Sequence, residues 1–203
     1  MSERVRGGRF PLLAPEELTE EQRAVHDAVA GPPRSSGPFL VVDDDGLLAG
    51  PFNALLHIPR IGQAVQALGS AVRFGGALDD RTRELVICAV AAGLDSAYEW
   101  YAHSRVARSA GIAEAELEDL RAGRTPPGLA PGERAALALT AQLLRGRGVD
   151  AGTHGEVLAH HGHSGVAELA VVVGYYQMLA GILAAGDVPA PTDPPESTTT
   201  TTT

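Results

Sequence analysis

Between Gly165 and Ala185 the chain is apolar on almost every side of a helix, interrupted by Glu168, Gln177 and the Tyr175-Tyr176 pair. A helix of this kind must be wrapped by other helices, by another subunit or by lipid. The polar interruptions favour a buried central or interface helix over a membrane span. With 44% apolar but only 4% aromatic residues, the surrounding core must come mostly from Ala, Leu and Val. Ala- and Leu-rich segments favour helix, and the β-branched and aromatic runs that strands need occur only in short pieces. The expectation is an all-α helical bundle forming one domain over residues 1–189. The Pro-rich stretch and six threonines of 190–203 cannot form a core and are expected to be a disordered tail.

The punctuation of the sequence predicts the remaining helices. Thr19-Glu20-Glu21-Gln22 reads as a capping box opening a helix that carries Val25 and Val29 and stops at Gly31-Pro32-Pro33. A long Gly-, Pro- and Asp-rich connection to Gly50-Pro51 follows, with one apolar stretch from Phe39 to Val42. Connections of that length often cover a site. Helices are then predicted near Phe52–His57, over Pro59–Phe74 with Ile61, Val65, Leu68 and Val72 on one stripe, and over Arg81–Ala92 capped by Asp79 or Asp80. Gly93 turns this helix into another over Ser96–Ser109, making a hairpin. Ala113–Ala122, Pro131–Arg145, Ala151–His161 and the apolar Gly165–Ala185 complete the set.

Two absences restrict the chemistry. All 16 cationic residues are Arg, so no lysine can form a Schiff base with a substrate or pyridoxal phosphate. The single cysteine, Cys88, rules out an intrachain two-thiol redox cycle. A net charge of −9 without basic clusters argues against nucleic acid. The opening MSERVRGGRF has no apolar segment after its arginines, so the chain is expected to stay in the cytoplasm and off the membrane.

The candidate site lies in the hairpin. Ser96, Glu99 and His103 stand three and four residues apart and share a helix face, and the preceding helix can bring Glu84 against them. Two carboxylates flanking one imidazole form an acid/base device, because a carboxylate orients the ring and burial moves these groups toward neutral pKa. The same residues have a structural reading: Ser96-x-x-Glu99 is a capping box, and Glu99 with His103 is an ordinary i,i+4 pair. The apolar setting, with Ile87, Trp100 and Tyr101 around a carboxylate, favours the functional one.

This segment, the upstream Gly50-Pro51-Phe52-Asn53-Ala54-Leu55-Leu56-His57 and the downstream Gly174-Tyr175-Tyr176 resemble the carboxymuconolactone decarboxylase family, which includes the AhpD-like alkylhydroperoxidases. The resemblance runs from about Pro11 to Pro189. The peroxidase branch carries a Glu, a Cys-x-x-Cys and a His four residues after the second Cys. Glu84 and His103 match that pattern, whereas Ser96 and Glu99 stand at the two thiol positions. The resemblance therefore implies the decarboxylase-like branch: a cofactor-independent helical homo-oligomer, as a dimer, trimer or hexamer, acting on a small unsaturated acid or lactone without a metal. It implies His103 as proton carrier, oriented by Glu99 or Glu84.

His57, Ser96, Tyr101, Trp100 and Arg73 are the expected substrate-binding residues, with Arg73 or Arg81 as the anion binder. Cys88 reads as an inert core thiol. His160, His161 and His163 lack metal-ligand spacing, and Asp43-Asp44-Asp45-Gly46 lacks the pattern of a calcium loop. The alternatives are a peroxide-reducing AhpD-like hydroperoxidase and a non-catalytic oligomeric protein that binds a small molecule.

Overall fold

The computed structural model describes residues 6–146 and 148–191; all but the first two residues of the expected tail lie outside the described residues. Eight α-helices follow one another: α1 (Glu20–Ala30), α2 (Pro51–Leu56), α3 (Pro59–Phe74), α4 (Asp80–Gly93), α5 (Ala97–Ser109), α6 (Glu114–Arg121), α7 (Pro131–Leu144) and α8 (Ala151–Gly186). Among the described residues there is no strand, only an isolated antiparallel bridge between Val42 and Leu48.

Helix boundaries follow local chemistry. The Thr19 hydroxyl accepts from the Gln22 N–H while the Gln22 side chain accepts from the Thr19 N–H, so the predicted capping box forms. Asp79, not Asp80, caps α4 by accepting from the Thr82 N–H. The two predicted C-terminal helices are arms of α8 joined at Gly162, whose φ of 66° and ψ of −177° suit only glycine.

α8 is long and apolar enough to cross a membrane by length and composition. Here it packs against α7, α4, α2, α3 and α5, with Leu169, Val172, Val173, Tyr176, Leu179 and Leu183 buried, as expected of a central helix. The main core joins these residues to Val25 and Val29 of α1, Leu55 and Leu56 of α2, and Val86 and Val90 of α4. Fully burying a Leu or Val contributes roughly 1.5–3 kcal/mol. A smaller cluster, with Leu85, Cys88, Ala107, Leu117, Leu120 and Leu137, lies on the other side of the α4–α5 hairpin.

Two connections fix the hairpin for the site. Both carboxylate oxygens of Glu168 on α8 accept backbone N–H bonds, from Ala77 at 2.8 Å and Leu78 at 3.2 Å, tying the entry of α4 to the central helix. The 31–50 connection lies on α5, where the Tyr98 hydroxyl donates to the Leu40 carbonyl and the Leu40 N–H donates to the Tyr101 hydroxyl. Gly50 permits this approach, because a Cβ there would lie 2.2 Å from the Tyr98 ring, and its φ of 58° is itself a glycine conformation.

Candidate active site

α4 carries Glu84, and α5 carries Glu99 and His103 one turn apart; their side chains converge where the hairpin meets α8. All three residues are buried, between 1% and 4% exposed. His103 Nδ1 lies 2.7 Å from Glu84 Oε2, a charge-assisted hydrogen bond that fixes the ring plane. Its Nε2 lies 3.7 Å from Glu99 Oε2, too far for a hydrogen bond but close enough for strong electrostatic coupling. The Tyr176 ring meets the imidazole edge-to-face at 4.8 Å, and Phe39 packs 6.2 Å away.

With Nδ1 committed to Glu84, Nε2 is the atom left to exchange a proton. Glu99 is its natural exchange partner. Burial pushes the Glu99 carboxyl up to about 7, and the Glu84 charge adds to the rise, while His103 and Arg73 oppose it. Its Oε1 has no hydrogen-bond partner. A buried polar atom left open is costly unless something else occupies it.

These groups border a narrow, partly open cavity of about 20 Å³, enough for the centre of a water-sized molecule. Glu99, His103 and Arg73 share its lining with Arg34, Phe39 and Tyr98, and with Tyr175 and Tyr176 from α8. Beyond Glu84 an open cleft of about 420 Å³ is bordered by Arg73, Phe74, Arg83, Glu84 and Val106. Arg73 thus borders both the narrow cavity and the wider cleft. Burial pushes the Tyr175 hydroxyl up to about 12 and raises that of Tyr176 well above its ordinary value, so both rings are neutral at physiological pH.

The other expected residues part company with this group. His57 is exposed at the end of α2, with Nε2 donating to the Pro11 carbonyl at 2.9 Å and its ring stacked on Phe10. Trp100 points to the smaller core cluster, beneath the Arg121 guanidinium. Tyr101 is buried but holds the 31–50 connection and does not line the cavity. Ser96 opens α5 without the expected capping bond; its Oγ is buried without a partner, beside a separate cleft with Leu94 and Leu183. Glu99 has turned into the cavity, so no box forms.

Arg81 is likewise spent elsewhere, on Glu116 and Glu133. Cys88 is fully buried and its thiol is pushed well up by burial, in keeping with an inert core thiol. His161 donates to the Gly132 carbonyl. No group of three or more His, Cys, Asp or Glu side chains able to hold a metal ion occurs among the described residues.

Sequence reasoning missed Arg34, Phe39, Tyr98 and Ala102. Tyr98 and Ala102 were within reach of it: residues 98, 99, 102 and 103 form one stripe of α5, from which Trp100 is excluded by helical geometry. Arg34 and Phe39 come from an irregular connection whose packing no periodicity reveals.

Residues 59–142 match the model of the carboxymuconolactone decarboxylase family. No curated protein matches the chain in sequence. The fold is similar to that of an uncharacterised peroxidase-related protein with an alkylhydroperoxidase AhpD core from Ralstonia eutropha JMP134, at 17% identity over 94% of this chain and 95% of that one, with a TM-score of 0.74. It is also similar to the debrominase Bmp8, solved in complex with 2,3,4-tribromopyrrole, at 15% identity over 89% of each chain and a TM-score of 0.66. A protein of unknown function from Agrobacterium tumefaciens, provisionally assigned as an antioxidant defence protein AhpD, shares 20% identity over 70% of this chain and 97% of its own, with a TM-score of 0.64. The stretch that carries Glu84, Glu99 and His103 is thus similar to the carboxymuconolactone decarboxylase family, within an AhpD-like helical fold and without a Cys-x-x-Cys motif.

Proposed function

We propose that the protein is a cofactor-independent acid/base enzyme of the carboxymuconolactone decarboxylase type, acting on a small unsaturated acid or lactone. The observation that carries this reading is the buried relay from Glu84 through the His103 imidazole to Glu99, whose carboxyl sits near 7. In a decarboxylation the bond between the carboxylate and its carbon breaks, CO2 leaves, and the electron pair flows into the conjugated carbonyl as a dienolate. His103 Nε2 then delivers a proton to that carbon, Glu99 restores the proton to the ring, and solvent reprotonates Glu99 before the next turnover. Glu84 keeps the ring in one tautomer throughout. Isomerisation or elimination would use the same proton transfers without loss of CO2.

The thiol-based alternative requires Cys88, which the smaller core cluster encloses. We also take the protein to be a homo-oligomer. This rests on Ile61 and Leu68 of α3 and Val171 and Met178 of α8, large apolar side chains exposed on two helices that pack together.

The test is a metal- and cofactor-free assay of CO2 release and product formation on a panel of unsaturated carboxylated lactones and acids, with His103→Ala and Glu99→Gln beside the parent. Turnover abolished by His103→Ala in a folded variant is the expected result. Turnover indifferent to both substitutions would remove the relay from the mechanism. Ligand binding with no turnover of any kind would favour the non-catalytic binding protein.

A further inference from the structure

Arg34 is buried without a counter-charge. It is 4% exposed, and one terminal nitrogen donates to the Gln66 carbonyl at 3.1 Å. The guanidinium lies 4.9 Å over the Phe52 ring and bonds the Tyr175 hydroxyl. Among the described residues no carboxylate lies within ion-pair distance of it. Arg83, equally buried, pairs with Asp80. Arg73, half-buried across the same cavity, also has no ion-pair partner there, and the two cations repel each other. Burying one unpaired cation costs several kcal/mol, and a second nearby raises that cost. An apolar side chain would close the roof of this cavity more cheaply.

We infer that Arg34, with Arg73 opposite, is a carboxylate-binding subsite that anchors the substrate beside His103. The inference rests on the acid/base reading above and narrows its substrate class to anions. It also specifies which part of the substrate is held. A carboxylate clamped by a guanidinium is stabilised in the ground state, which slows its own departure. The anchored group is therefore one that the reaction leaves in place. Arg34 and Arg73 are specificity residues, distinct from the proton relay of Glu84, His103 and Glu99.

The experiment uses the full chain with two probes of equal shape, 2-furoate and uncharged 2-furamide, titrated by calorimetry. The parent protein is expected to prefer furoate by about tenfold or more, the equivalent of one charge-assisted hydrogen bond. Arg34→Gln should collapse that preference, Arg34→Lys should restore part of it, and far-UV circular dichroism should show both variants folded. Equal binding of the two probes, binding of neither, or a preference that survives Arg34→Gln would overturn the subsite. His103→Asn separates this from the proposed function: it should keep the furoate preference. A furoate preference with no turnover on any acid would sink the acid/base reading and leave the anion site standing.

Discussion

Arg81 and His103 each stand where charges from separate helices meet, and the two meetings are built on opposite terms. Arg81 of α4 reaches Glu116 of α6 at 2.5 Å, Glu133 of α7 at 2.8 Å and the Gly111 carbonyl at 2.7 Å. The same two carboxylates cap their own helices by accepting from the Ala113 and Ala130 N–H groups. Arg81 holds the Glu116 carboxyl below the usual carboxylate range. Each charge there is compensated, and the cluster clamps three helices. At His103 one carboxylate is engaged, the other is pushed up and has an open oxygen, and a nearby arginine has no anion. Residue types alone do not separate scaffold from site; satisfaction does.

The largest expected contrast is in turnover. His103→Ala should lower kcat by about 10²–10⁴-fold, the usual worth of a positioned acid or base, while Arg81→Met keeps kcat within a few-fold. A comparable loss in both variants would dissolve the distinction.

Next comes the pH dependence of stability. Glu99 has its carboxyl at about 7 in the folded protein, against about 4.5 for an unperturbed one. Between these values the folded state keeps a proton that the unfolded chain has released, so Glu99 makes stability fall as pH rises from about 4.5 to 7, by on the order of 3 kcal/mol. Glu99→Gln removes this slope and should be more stable than the parent at pH 8 relative to pH 5. Urea unfolding at the two pH values reads the difference, and parallel curves would show that Glu99 titrates normally.

The smallest effect belongs to Arg81→Met, expected to cost about 1–2 kcal/mol because the cluster is partly exposed and screened. Thermal melts in low and high salt should show the gap between parent and variant narrowing as salt rises. A salt-independent gap would mean that Arg81 acts through packing.

The same contrast explains what the sequence made legible. Glu84, Glu99 and His103 were readable because helix periodicity and the Gly93 turn bring them to one place. The capping boxes divided: Thr19 with Gln22 formed, whereas Ser96 with Glu99 did not, because the carboxylate found a buried destination. Spacing alone does not register that competition. His57 was drawn into the site by a neighbouring sequence match, yet its ring has an ordinary partner in the Pro11 carbonyl. Arg34 lay outside every periodic segment, so only tertiary packing identifies it.

The cavity's walls also have different origins along the chain. The segment matching the family supplies the proton relay and Arg73, whereas Arg34, Phe39 and Phe52 come from before it and Tyr175, Tyr176 and Leu179 from after it. Apart from Arg73, Tyr98 and Ala102, the walls around the relay therefore come from stretches of sequence outside the one that carries it. The hairpin can stay unchanged while substitutions in the flanking segments reshape the cavity around it. An engineer seeking altered selectivity should randomise positions 34, 39 and 52 first, because none of them contributes a group to the relay.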